Sequence, residues 1–150
     1  MLASLRVRDL ATVADVSLEP GPGLNVLTGE TGAGKSILVD AIALLLGDRA
    51  DRAAVRPGAA RLVVEGVFDG ESASLTARLD SLGLDQADPL VIRREVSRDG
   101  RSRAWVNGSP TTIGVLRDLA GSLADLHGQH QSIELVESTA QRRLLDAFAG

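Results

Sequence analysis

The sequence predicts an α/β fold in which a phosphate-binding loop joins a strand to a helix, with an antiparallel β-subdomain built around that unit. Three observations carry the prediction. Gly29-Glu30-Thr31-Gly32-Ala33-Gly34-Lys35-Ser36 is a complete G-x-x-x-x-G-K-[ST] loop. It stands between a short apolar stretch, residues 23–28, and an apolar helical stretch, residues 36–46. Short alternating segments lie on both sides of this unit, one pair of them joined by Asp99-Gly100, which reads as a two-residue hairpin turn.

Residues 2–7 and 14–18 read as two strands, followed by a Pro20-Gly21-Pro22-Gly23 turn. Residues 23–28 read as a short buried strand leading into the loop. Residues 62–69 alternate well enough for another strand. Over residues 71–82 the spacing is helical, with Leu75, Leu79 and Leu82 on one side and Gly83 as the stop. Residues 90–96 and 102–107 flank Asp99-Gly100 as a hairpin. Thr111 or Thr112 caps a helix running to residue 126, and a last helix is expected over 137–148. No internal repeat or low-complexity tract interrupts this order.

Among the 16 basic residues there is one lysine, and it is Lys35. A compact ammonium on a flexible stem suits a site between β- and γ-phosphate oxygens. The loop glycines adopt backbone conformations barred to other residues, so that successive N–H groups turn inward as an anion nest. The helix N-terminus adds its partial positive charge. Ser36 is placed to put its hydroxyl on Mg²⁺. A glycine-rich turn without chemical meaning would not need strand, lysine, hydroxyl and helix in this order.

Bulk properties exclude rather than identify. A chain of 150 residues is one domain or part of one, with a composition ordinary for a globular protein. The absence of cysteine excludes disulfides and thiolate metal sites. Arg6, Asp9 and Asp15 interrupt any secretory signal near the start, and the longest apolar run, residues 41–46, is too short for a bilayer. The expectation is a cytoplasmic protein without membrane contact. A net charge of −4 does not suggest a general nucleic-acid binder, so a role on DNA has to rest on a local patch. The single lysine is committed to the loop, which excludes an Asn-Lys-x-Asp guanine site and leaves ATP with Mg²⁺ as the expected ligand. A small-molecule kinase stays open as an alternative, although nothing identifies an acceptor pocket.

From Met1-Leu2 to its end the chain resembles the RecN family of bacterial DNA double-strand-break repair ATPases, relatives of the SMC chromosome proteins. The resemblance rests on the loop in its Gly-Glu-Thr-Gly-Ala-Gly-Lys-Ser form, on Ile37-Leu38-Val39-Asp40-Ala41-Ile42 ending in Leu46-Gly47, and on Arg93-Arg94 before Ser97-Arg98-Asp99-Gly100-Arg101-Ser102-Arg103. Asn107-Gly108 and His127-Gly128-Gln129-His130 complete it. SMC proteins look more like Pro-Asn-Gly-Ser-Gly-Lys-Ser at the loop, so Glu30-Thr31 favours RecN. The resemblance implies an ABC-type ATPase head whose two lobes are separated in sequence by a long coiled coil. Residues 1–150 are then the N-terminal lobe. The chain has no apolar run closing with Asp-Glu, no Leu-Ser-Gly-Gly signature and no heptads. It is expected to bind nucleotide without hydrolysing it. The implied partners are a second head, in a homodimer, and DNA at double-strand-break ends, in a nucleoid-associated protein. The competing reading is a structural module that tethers DNA and is stabilised by nucleotide.

Gln129 resembles the glutamine of this class that coordinates Mg²⁺ and senses the γ-phosphate, against the alternative of a surface glutamine in a connection. His127 and His130 lack a third ligand for zinc and are expected to shape the loop by hydrogen bonding. Arg56 stands about as far from the loop as an arginine that SMC-type heads carry near nucleotide or DNA; an ordinary solvated arginine is the alternative. Asp40 follows Ser36 by one helical turn and reads as helix support. Pairing across Asp99-Gly100 sets Arg98 opposite Arg101, Val96 opposite Arg103 and Arg94 opposite Trp105, all on one face. That face reads either as a phosphate-tracking surface or as a solvated edge protected by charge.

Overall fold

The structure, a computed structural model, describes residues 1–29, 34–70 and 72–124. Six antiparallel strands form one sheet: β1 (Leu2–Leu10), β2 (Val13–Leu18), β3 (Arg61–Phe68), β4 (Leu90–Ser97), β5 (Ser102–Val106) and β6 (Ser109–Thr111), in the spatial order β2-β1-β3-β4-β5-β6. Among the described residues there are also three helices, α1 (Lys35–Leu45), α2 (Ala73–Ser81) and α3 (Ile113–Leu123), and a 3₁₀ turn at Arg52–Ala54.

β1, β3, β4 and β5 each send alternate apolar residues to one dry face of the sheet. Leu5 and Val7 on β1, Leu62 and Val64 on β3, Leu90, Ile92 and Val96 on β4, and Ala104 and Val106 on β5 point inward. They meet Ala41, Leu44 and Leu45 of α1, Leu75 and Leu79 of α2 and Leu116 and Leu119 of α3 in one core. The other face is mixed, with Val63 and Val67 among charged residues. Arg6, Glu65, Arg93 and Trp105 are successive cross-strand partners there, with Arg93 Nη1 3.8 Å from Glu65 and its guanidinium 5.7 Å from the Trp105 ring centroid.

Helix ends follow their local chemistry. Ser72 Oγ accepts from Leu75 N at 3.1 Å and Thr112 Oγ1 from Val115 N at 3.3 Å, so Thr112, not Thr111, caps α3. Gly83, at φ 65°, ends α2 with the bonds Gly83 N to Asp80 O and Leu84 N to Leu79 O.

Three expectations need correction. First, residues 23–28 are not a buried strand: they pair with none of the six strands, and Leu24, Val26 and Leu27 are 92%, 72% and 49% exposed. A strand flanking a phosphate loop is buried only if neighbouring strands hydrogen-bond to it, and no described strand lies there. Second, the hairpin register is displaced by one residue. Arg93 faces Trp105, Arg94 faces Ala104 and Glu95 faces Arg103, because the loop contains three residues, 98–100, with Gly100 at φ 88°. Ser97 N donates to Arg101 O and Gly100 N to Ser97 O, a type I turn closed by a bulge. One residue of slip moves every side chain to the opposite face. Third, β6 was not foreseen. Its signal is Asn107-Gly108, both at positive φ (50° and 81°), the turn chemistry of a two-residue hairpin. Residues 125–150, and with them the expected helix at 137–148, lie outside the described residues.

Candidate nucleotide-binding site

Helix α1 packs its Ala41-Leu44-Leu45 face on β1, β3 and β4, and this contact aims its N-terminus. Gly66 on β3 lets the helix approach closely: a Cβ there would stand 2.6 Å from Leu45 Cδ1. At the front of the helix Gly34 is the N-cap, at φ 94°, a left-handed conformation that glycine adopts without strain. Among the described residues no side chain caps this terminus and its first turn carries no acid, so its N–H groups and their partial positive charge are left for another acceptor. The half-buried Lys35 sends Nζ back to the carbonyl of Gly29, across the loop it closes. Ser36 is exposed beside it. Asn25 organises the approach, accepting from Gly21 N at 3.0 Å and donating to the carbonyls of Gly21 and Gly23.

The structure therefore brings together Gly29, Gly34, Lys35 and Ser36. Glu30, Thr31, Gly32, Ala33, His127, Gln129 and His130 lie outside the described residues. The donor set that is described suits a polyphosphate with its divalent cation: the N–H groups at the helix N-terminus, one ammonium, one hydroxyl and no carboxylate in the first helical turn. Arg56 has other partners. Its Nη1 is 3.9 Å from Asp9 Oδ1, its N–H donates to Asp9 O at 2.8 Å, and its carbonyl accepts from Arg98 Nη2 at 3.2 Å.

The corrected register dissolves the single basic hairpin face. Arg93, rather than Arg94, stacks on Trp105. Arg98 is turned to the Arg56 loop, Arg101 pairs with Asp99 at 3.2 Å, and Arg103 stands opposite Glu95. The Arg101 N–H, with the Arg101 charge, holds the Asp99 carboxyl below the usual carboxylate range. Arg94 is 2% exposed, inside the core. Its Nη1 donates to Leu44 O and Asp48 O, each at 2.7 Å, and its Nε to Ser102 Oγ at 3.3 Å. On α3, Arg117 Nε donates to Gly47 O at 2.9 Å. Two arginines thus grip the C-terminal end of the loop helix, a role that the shifted register had hidden for Arg94.

The AAA domain family matches residues 4–113. The RecN DNA repair protein of Xylella fastidiosa (strain 9a5c) is 44% identical over 151 residues, covering 99% of this chain and 27% of that protein. The chain thus spans about a quarter of the length of the curated relatives it matches. Among solved structures, the Smc head domain of Pyrococcus furiosus, bound to the C-terminal domain of ScpA, superposes with a TM-score of 0.72 at 23% identity, over 99% of this chain and 42% of that one. A chain from a study of ATP-driven dimerization and DNA-stimulated activation of SMC ATPases gives 0.70 at 24%, over 99% of both chains. These two likenesses establish that the chain has the fold of SMC head domains, and the family match shows that it belongs to the AAA domain family.

Proposed function

We propose that this lobe binds ATP with Mg²⁺ and forms half of a composite ATPase site that acts in DNA double-strand-break repair and recombination. The observation that carries the reading is the uncapped, acid-free N-terminus of α1 with Gly34, Lys35 and Ser36 at its tip. Main-chain N–H groups of residues 29–36 would hold the phosphates, Lys35 would reach the β- and γ-oxygens, and Ser36 would ligate the ion. Gln129 would complete the Mg²⁺ shell and sense the γ-phosphate, and Arg56 would stand near nucleotide or DNA.

The reading needs a second lobe. Leu24, Val26, Leu27 and Val39, the exposed apolar residues on either side of the loop in sequence, are the surface that further strands of a head would cover. The relatives are about four times as long as this chain, and the additional length would hold a coiled coil and that lobe, with an acidic pair to orient water and a signature to cap the γ-phosphate of a partner head. ATP would then clamp two heads, and hydrolysis would release them from broken DNA. Among the described residues no helix is long and apolar enough to cross a membrane.

ATPase assays test this. The chain alone is expected to show no turnover, and hydrolysis should appear when a lobe with acidic pair and signature is supplied. Gln129→Ala should then lower turnover more than ATP affinity. Robust turnover by the single chain would contradict the composite site.

A further inference from the structure

The C-terminal end of helix α1 is held by a set of polar contacts. At its C-terminus Gly47 N donates to Leu44 O and Asp48 N to Ala43 O, a Schellman closure, and the remaining acceptor capacity goes to two arginines: Arg94 on Leu44 O and Asp48 O, Arg117 on Gly47 O. The N-terminal end has no side-chain cap. Arg94 occupies an inward position of β4 between Ile92 and Val96, both buried. Burial pushes its guanidinium below the usual arginine value, Arg117 adds to that shift and Asp48 opposes it, yet arginine starts so high that the group stays charged.

A hydrophobic side chain of similar size would fill this space but would donate no hydrogen bond to Leu44 O, Asp48 O or Ser102 Oγ. What the cation adds to packing is therefore a fixed link between β4 and the end of α1. We infer that Arg94 is a positioning residue for nucleotide: by tying the C-terminal carbonyls of α1 to strand β4, it sets the direction in which the helix presents the phosphate loop. The inference rests on the nucleotide reading above.

The lever is long enough to matter. Eleven residues at 1.5 Å rise make a helix of about 16 Å, so a swing of about 10° about its C-terminal end displaces the N-terminus by about 3 Å. In catalytic sites a misplacement of about 1 Å can cost on the order of 100-fold in rate, so a displacement of this size at a phosphate-holding terminus is large. The positive charge also sits where the helix dipole is negative, at the end opposite the proposed phosphates.

The test compares the wild-type chain with Arg94→Met and Arg94→Lys in two measurements well below the thermal midpoint: calorimetric titration with MgATP, and amide hydrogen exchange. Arg94→Met is expected to weaken MgATP by about tenfold or more. It should speed exchange at Leu46, Gly47 and Asp48 while Val7 and Val64 keep their protection. Arg94→Lys, which keeps the charge and one bond, should recover part of the affinity. Wild-type affinity in Arg94→Met would overturn the inference, as would exchange that rises equally across sheet and helix, the mark of a purely structural role. If Arg94→Met does not fold, Arg94→Lys decides alone: wild-type affinity together with wild-type exchange at residues 46–48 would overturn it. A wild-type chain that binds no MgATP would overturn the nucleotide reading instead, and the exchange arm would then judge the tether by itself.

Discussion

Gly47→Ala will destabilise the chain by about 2–5 kcal/mol, the sum of about 1–2 for a left-handed Cβ and about 1–3 for an overfilled contact. Gly47 has φ 93°, and a Cβ there would stand 2.6 Å from Arg117 Cγ, 2.8 Å from Arg117 N and 3.1 Å from Ile113 O. Two of these three atoms are backbone of α3, which cannot move aside as a side-chain tip can. The C-terminus of α1 would have to lift from α3 and from the Arg94 and Arg117 bonds. Since domains of this kind hold only about 5–15 kcal/mol, a large share of the margin is at stake. Gly83→Ala is the control: φ is 65° but nothing lies within 4 Å, so only the conformational cost of about 1–2 kcal/mol remains. Urea unfolding of both variants measures the difference, and equal losses would mean that α1 and α3 do not meet at Gly47.

The second large effect concerns the bed of the same helix. Leu45 is fully buried, and Leu45→Ala should cost about 2–5 kcal/mol through lost transfer energy and the cavity left behind. Gly66→Ala alone should cost about 1–3 kcal/mol, because its Cβ would press on Leu45 Cδ1. In the double variant the new methyl enters the space that Leu45 vacates. The combined loss should therefore fall short of the sum by about 0.5–3 kcal/mol, the range of contacting pairs. Strict additivity in urea unfolding would show that α1 does not rest on Gly66.

The parts of the fold that the chain reveals on its own are those decided by local chemistry. The helix behind the phosphate loop, β3, a threonine cap at 111 or 112 and the stop at Gly83 each depend on residues within a few positions of one another. What stayed hidden depends on distant partners or on a count of one. Asp99-Gly100 marks a hairpin, but both two- and three-residue loops accept that pair, and the choice between them turns Arg94 from a surface residue into a core clamp. Residues 23–28 have the composition of a buried strand, and only neighbouring strands could make them one. β6 is three residues long with Pro110 at its centre, too short and too poor in strand formers to be read without the Asn107-Gly108 turn. The site follows the same division. The assignment of Lys35 and Ser36 is read from the motif, while the grip of Arg94 and Arg117 on the far end of α1 needed the third dimension.

The central claim is that Lys35 and the N-terminus of α1 hold a nucleotide, and calorimetric titration of MgATP into the wild-type chain and Lys35→Ala tests it most directly. The wild type is expected to bind weakly, with half of the proposed composite site missing. Lys35→Ala should bind about 10- to 100-fold more weakly still, since a bond to a charged group contributes about 1.5–3 kcal/mol. Its unfolding midpoint without nucleotide should stay close to that of wild type, because Lys35 lies outside the hydrophobic core. Equal affinity in the two proteins would contradict the assignment of Lys35 and the function built on it.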